Sequence, residues 1–129
     1  MYLLAPIIGW LAAGFLKFIV NQLRYGNARE RIGNGGFPSN HTTIMTATVM
    51  LIGFREGFAD PLFGLGAAVT FIVIIDATGL RRHVGAHASR INALQPEGAR
   101  LRESMGHNVI EVLGGLALGT IIGYSMSFI

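Results

Sequence analysis

The sequence predicts an all-α fold: an integral membrane helical bundle of about four transmembrane or membrane-embedded helices, forming one domain over residues 1–129. Three observations carry this expectation. Apolar residues make up 51% of the 129 positions, charged residues 13%, and the mean hydropathy is +0.51, a balance foreign to ordinary soluble domains. Four apolar stretches are nearly free of charge, and most of the charge gathers in two of the connections between them. No internal repeat, low-complexity tract or long linker marks a second domain.

The first stretch, Tyr2 to Val20, is interrupted only by Lys17 and approaches the ~20 residues that cross a hydrocarbon core. It lacks a basic start and an Ala-x-Ala cleavage signature, so it reads as a retained span rather than a signal peptide. The second, His41 to Phe54, is short and fits a tilted or protein-buried helix starting near Ser39. The third runs from Pro61 to Ile75 and is closed by Asp76. The fourth, Val109 to Ile129, is broken only by Glu111. Along it Gly115, Gly119 and Gly123 recur every four residues, the mark of a close helix contact in lipid, either with the first or third helix or across a homo-oligomer interface.

Threading four spans puts the 21–38 and 77–106 connections on one side of the membrane and the 55–60 turn and both termini on the other. Lys17, Arg24, Arg29, Arg31, Arg81, Arg82, Arg90, Arg100 and Arg102 then share the first side, leaving Arg55 alone among the ten basic residues on the second. The positive-inside rule makes the basic side cytoplasmic, which fits a protein of the cell (inner) membrane. The same cations suit an anion pocket, since Lys17 and Arg24 bracket a helix end. Nucleic acid is not the expected partner, because the arginines lie in loops between apolar segments and not in a stripe with interleaved aromatics. The chain has no cysteine, so disulfides and thiolate metal sites are excluded.

Two histidines open apolar runs on the basic side. His41 stands in Pro38-Ser39-Asn40-His41 and His107 in Gly106-His107-Asn108-Val109-Ile110-Glu111. A histidine at a helix start lies near unpaired N–H groups and the positive dipole end, where a phosphate binds readily. Glu111 follows His107 by one turn on the same face, placed to fix the imidazole tautomer and to stabilise the charge that develops when the ring acts as base or nucleophile. An ionisable group one turn into an apolar helix is costly and ordinarily faces a partner or a polar cavity.

These residues carry a resemblance to the type 2 phosphatidic acid phosphatase and vanadium-dependent haloperoxidase superfamily, of which the chain looks like a divergent, shortened member. Lys17, six residues and Arg24 resemble its first motif, with Tyr25 where the motif has proline. Pro38-Ser39-Asn40-His41 is similar to the second, with asparagine for glycine. His107 and Glu111 keep the final spacing of the third, with glutamate for aspartate. The third-motif arginine has no exact match: Arg102 stands one residue too close to His107, and Arg81 or Arg82, in Asp76-Ala77-Thr78-Gly79-Leu80-Arg81-Arg82, is the other choice.

The resemblance implies a lipid phosphate or diphosphate phosphatase in the bilayer, working without metal or other cofactor through a phosphohistidine. It makes His107 the nucleophile, Glu111 its orienting carboxylate and His41 the general acid. Lys17, Arg24, Ser39, Asn40 and one or more of Arg81, Arg82 and Arg102 would bind the phosphoryl oxygens.

Plainer roles stand beside these. Ser39 also reads as an N-cap and Asp76 as the partner of a nearby arginine. His83 and His87 read as loop residues, and as an i, i+4 pair they lack further metal ligands. Gly33-Asn34-Gly35-Gly36 is a flexible approach to the second helix, without the ending of a P-loop. The alternative for the whole chain is a non-catalytic membrane protein whose basic loops bind anionic lipid or a partner.

Overall fold

A computed structural model of the 129-residue chain describes residues 1–26, 36–95 and 97–129. Arg29, Arg31 and the stretch Gly33-Asn34-Gly35 lie outside the described residues. The described residues form five helices: α1 (Ala5–Tyr25), α2 (Asn40–Glu56), α3 (Pro61–Thr78), α4 (Leu80–Leu94) and α5 (Val109–Ser127). No strand occurs among the described residues.

Pro6 at the start of α1 and Pro61 at the start of α3 supply a preset φ where no N–H is missed, and Asp60 caps α3 by accepting from the Leu62 N–H at 2.7 Å. α1, the continuous α3–α4 pair and α5 are each long and apolar enough to cross a membrane. α2, with 17 residues, is instead the central helix, packed against α1, α3 and α5. Its short apolar run therefore reflects burial in protein, as its length suggests.

The interior is built from small and hydroxyl-bearing side chains. Thr42, Thr43 and Ala47 are fully buried, whereas Trp10, Phe15, Leu65, Phe71 and Ile121 are exposed. That distribution suits lipid, where large apolar residues outside cost nothing and helices associate by close packing. Hydroxyls in such a core need local acceptors: Thr43, Thr48, Thr70, Thr78 and Thr120 each donate to the carbonyl four residues earlier, at 2.7–3.1 Å.

The glycine stripe of α5 is occupied within the chain, and its neighbour is α2 rather than the first or third helix. A Cβ at Gly115 would lie 2.8 Å from the Ser39 carbonyl oxygen, at Gly119 2.5 Å from Thr46 Cβ and at Gly123 2.8 Å from Leu51 N. The period of four fixes the face of α5 but carries no information about which helix meets it. Gly9 of α1 approaches the same Thr43–Ala47 turn of α2, where an added Cβ would lie 3.3 Å from Ala47 Cβ, Ile44 Cα and the Thr43 carbonyl oxygen.

The 77–106 connection differs from the loop the sequence suggests. After Gly79 the chain re-enters a helix, α4, which carries His83 and His87 as exposed residues. Polarity hides it: α4 lies past the apolar run and is polar on average, so a reading of apolar stretches passes over its amphipathic period. The chain then returns along α4. The Asn92 amide donates to the Leu101 carbonyl and to Glu103 Oε1, both at 2.8 Å, while the Leu101 N–H donates back to Asn92 Oδ1 at 2.9 Å.

At Gly119 even one methyl group collides with α2 backbone, whereas at Gly14 a Cβ meets nothing within 4 Å. Gly119→Ala is therefore expected to destabilise the bundle by ~1–3 kcal/mol through overpacking. Gly14→Ala is expected to be neutral. Thermal unfolding in detergent micelles, both variants beside the wild type, makes the comparison, and equal midpoints would contradict the packing of α5 on α2.

Candidate functional site

Two helix starts and one helix junction converge at the basic end of the bundle. At the start of α2, Ser39 is the cap: its Oγ accepts from the Thr42 N–H at 3.3 Å and from the Thr42 hydroxyl at 3.0 Å. Ser39 is fully buried, and its own N–H donates to the Glu111 carbonyl at 2.9 Å, tying the start of α2 to the first turn of α5. α5 begins with a capping box in which Asn108 Oδ1 accepts from the Glu111 N–H at 2.8 Å and Glu111 Oε2 accepts from the Asn108 N–H at 3.2 Å. Asn-x-x-Glu before an apolar run is a helix-start signature, so this second duty of Glu111 was available from spacing alone.

His107 directly precedes that cap. Gly106 has φ +90°, and a Cβ there would lie 2.6 Å from Arg82 Cγ and 3.1 Å from the Ala77 carbonyl oxygen, so only glycine lets the chain pass so close to the α3–α4 junction. The next N–H, that of His107, donates to the Ala77 carbonyl at 2.9 Å. The ring is then held from the other side, with Nδ1 2.8 Å from Glu111 Oε2. Both side chains are shielded, at 6% and 16% exposure. A carboxylate accepting the Nδ1 proton leaves Nε2 with its lone pair.

His41 stands beside this pair, its ring centroid 5.9 Å from that of His107 at an interplanar angle of 62°. Its Nδ1 and the Asn40 Oδ1 are buried without a hydrogen-bond partner among the described residues. Lys17 projects from α1 within electrostatic range of Glu111 and of His41.

A cleft of about 480 Å³ opens beside His107 and Glu111, lined also by Asn108, Arg82, Asn21 and Tyr25. Of the three arginines the sequence offers, Arg82 is the one that lines it. Arg81 turns to Asp76, Nε to Oδ2 at 2.9 Å, which gives Asp76 the arginine partner considered above. Arg102 lies within electrostatic range of Lys17. Arg24 sits at the exposed end of α1, and neither it nor Lys17, Ser39, Asn40 or His41 lines the cleft.

Farther out, the Asn92 amide holds the Glu103 carboxyl below its ordinary range, with Arg100 adding to the effect. No group of three or more metal-ligating side chains occurs among the described residues.

Asn21, Tyr25 and Asn108 are cleft residues that the motif reading passes over. Asn21 and Tyr25 follow Lys17 at successive steps of four, so helical spacing alone places them on its side of α1. Tyr25 occupies the position where the resemblance has proline.

The fold and this end of it define an integral membrane helical protein with a buried histidine–carboxylate pair beside a cation-bearing cleft. The model of the divergent PAP2 family matches residues 1–122, and the chain belongs to that family. It is similar to the uncharacterized membrane protein YuiD of Bacillus subtilis (strain 168), 31% identical over 113 residues that cover 73% of this chain and 72% of the relative. No solved structure matches the chain.

The two duties of Glu111 are separable. Glu111→Gln keeps an acceptor for the Asn108 N–H and is expected to leave thermal stability nearly unchanged. Glu111→Ala removes the cap contact and is expected to cost ~1 kcal/mol. Unfolding in detergent distinguishes the two, and identical losses would mean that the carboxylate charge, not the cap, is what the fold uses.

Proposed function

We propose that the protein is a metal-independent lipid phosphatase, hydrolysing a lipid phosphate or diphosphate at the bilayer interface through a phosphohistidine on His107. The observation that carries this reading is the 2.8 Å contact between His107 Nδ1 and Glu111, with the His41 ring next to it at the end of the bundle where the cations gather. A pair so shielded is costly to assemble in an apolar helix start, and a tautomer fixed at Nδ1 is what a nucleophilic Nε2 requires.

The steps follow from that arrangement. A lipid phosphate places its headgroup at the interface, in the cleft beside His107. Lys17 and Arg82 lower the repulsion between the phosphoryl oxygens and the incoming lone pair, Arg82 through a guanidinium fork and Lys17 as a point charge. Nε2 attacks phosphorus, a P–N bond forms and the P–O bond to the lipid breaks. His41 gives its proton to the departing oxygen, and Glu111 stabilises the positive charge that grows on His107. His41 then takes a proton from water, whose oxygen displaces Nε2 and releases phosphate. The family's name supports the reaction class, and the departures at Tyr25, Asn40 and Glu111 are what the test must overcome.

The basic end is assigned to the cytoplasmic face of the cell membrane on the positive-inside rule. Single cysteines at Ala99 and Ala59, in a chain with none of its own, check this: an impermeant thiol reagent on intact cells is expected to label Ala59→Cys and spare Ala99→Cys. The reverse pattern would turn the site outward.

Phosphate release from a panel of lipid phosphates by the purified protein is the test of function. His107→Ala is expected to abolish turnover on every substrate, whereas His41→Ala is expected to slow alkyl phosphates by 10²–10⁴-fold and activated aryl phosphates much less, because only a strongly basic leaving oxygen needs the proton. Vanadate is expected to inhibit and EDTA to have no effect. No turnover with any lipid phosphate, together with retained binding to anionic vesicles, would replace this reading with that of a non-catalytic lipid-binding protein.

A further inference from the structure

Asn21 is an anomaly in α1. The buried face of that helix repeats every four residues as Ala5, Gly9, Ala13 and Asn21, with Lys17 completing the series, so small packing residues give way to polar ones at the basic end. Asn21 is only 8% exposed, and its carboxamide is not among the buried side-chain groups left without a partner, so the exposure it keeps is toward the cleft it lines. That cleft holds His107, Glu111, Asn108 and Arg82. Its Oδ1 lies on the Gly36 side, 3.8 Å from the position a Cβ of Gly36 would take. An amide that keeps access to the cleft is solvated by cleft water, which a bound oxyanion can replace with a directed acceptor. Its place beside His107, Glu111 and Arg82 puts a neutral donor in the same cleft as the candidate nucleophile.

We propose that Asn21 is a substrate-binding residue of this cleft, its carboxamide donating a hydrogen bond from Nδ2 to a non-bridging oxygen of the phosphoryl group presented to His107. The assignment rests on the phosphatase reading above and adds a third kind of contact to it. Lys17 and Arg82 supply charge, whereas Asn21 supplies a directed neutral donor that needs no counter-charge when the cleft is empty. A third cation at this depth would add repulsion between neighbours before substrate arrives. The recognised chemistry is the phosphoryl oxygen itself, carried by a lipid or free.

The test compares Asn21→Leu and Asn21→Asp with the wild type in detergent micelles. Three quantities are read: the thermal midpoint, the KM and kcat for a short-chain diacylglycerol phosphate, and the affinity for inorganic phosphate by titration calorimetry. Loss of a hydrogen bond to a charged group is expected to raise KM and to weaken inorganic phosphate binding together, by roughly 10- to 100-fold for Asn21→Leu. The loss is expected to be larger for Asn21→Asp, whose carboxylate repels the anion. The midpoint of Asn21→Leu is expected to hold, because leucine fills nearly the same volume and the amide faces the cleft rather than the bundle interior.

A lowered midpoint with unchanged phosphate affinity would make Asn21 a packing residue and overturn the proposal. Weaker lipid phosphate binding with unaltered inorganic phosphate binding would move the contact beyond the phosphoryl group and also overturn it. Wild-type binding of phosphate without turnover, lost in Asn21→Asp, would uphold Asn21 while removing the catalytic reading. Normal turnover with Asn21→Leu indistinguishable from wild type would do the opposite, and absence of phosphate binding in the wild type would overturn both.

Discussion

The closeness of α2 to α5 is the constraint on which the rest of this structure depends. Gly115, Gly119 and Gly123 let the two backbones meet with no intervening side chains, so that added β-carbons would lie 2.5–2.8 Å from atoms of α2. Within lipid such contact replaces the expulsion of water as the source of association. At its upper end the contact becomes a hydrogen bond, from the Ser39 N–H to the Glu111 carbonyl. That bond locks the register of the two helix starts, and through it the spacing of His41 and His107. A slip of one turn, ~5.4 Å, would separate the rings while leaving the His107–Glu111 contact, which lies within one chain segment, in place.

Register alone would leave His107 on an untethered approach. The tether is the return segment after α4, held by Asn92 and drawn against the α3–α4 junction at Gly106, where the His107 N–H meets the Ala77 carbonyl. The imidazole is thus fixed by its own backbone, by Glu111 and by the buried setting. Glu111 closes the capping box with the same oxygen that meets Nδ1, so helix start and ring orientation are one hydrogen-bond network. The longer arm of glutamate, compared with aspartate, reaches back both to the cap N–H and to a ring one residue farther on. The substitution in the third motif therefore changes the construction of the pair while preserving the contact.

What the sequence makes legible here is local and periodic. The apolar runs give four of the five helices and mark α2 as the short, buried one, although α1 continues to Tyr25, five residues past the apolar boundary, because Asn21, Gln22 and Arg24 are polar without being helix breakers. His107 with Glu111 follows from one-turn spacing. The pairing of His41 with His107, the choice of Arg82 over Arg81 and Arg102 at the cleft, and the partner of the glycine stripe all depend on which helices adjoin, and no run of residues encodes that. Arg81 and Arg82 look equivalent in sequence. A turn of ~100° per residue sends one to Asp76 and the other to the cleft. Asn21 was within reach, four residues from Lys17, but a neutral amide in an apolar helix has no motif to announce it.

The charge arrangement at the basic end has a further consequence for selectivity. Arg81 is paired with Asp76 yet lies within electrostatic range of His41, Arg102 lies within range of Lys17, and Arg24 lies out at the exposed helix end, so among the described residues Lys17, Arg81, Arg82 and Arg102 share this end with the carboxylates of Glu111 and Asp76. Two carboxylates among these cations reduce what charge alone contributes to holding an anion. Discrimination then passes to directed contacts, which neutral donors such as Asn21 and the hydrogen-bonded cap of α5 provide, because their strength depends on oxygen positions and not only on net charge. On the phosphatase reading, this favours a monoester headgroup, which presents three non-bridging oxygens at the interface, over the phosphodiester lipids, which present only two.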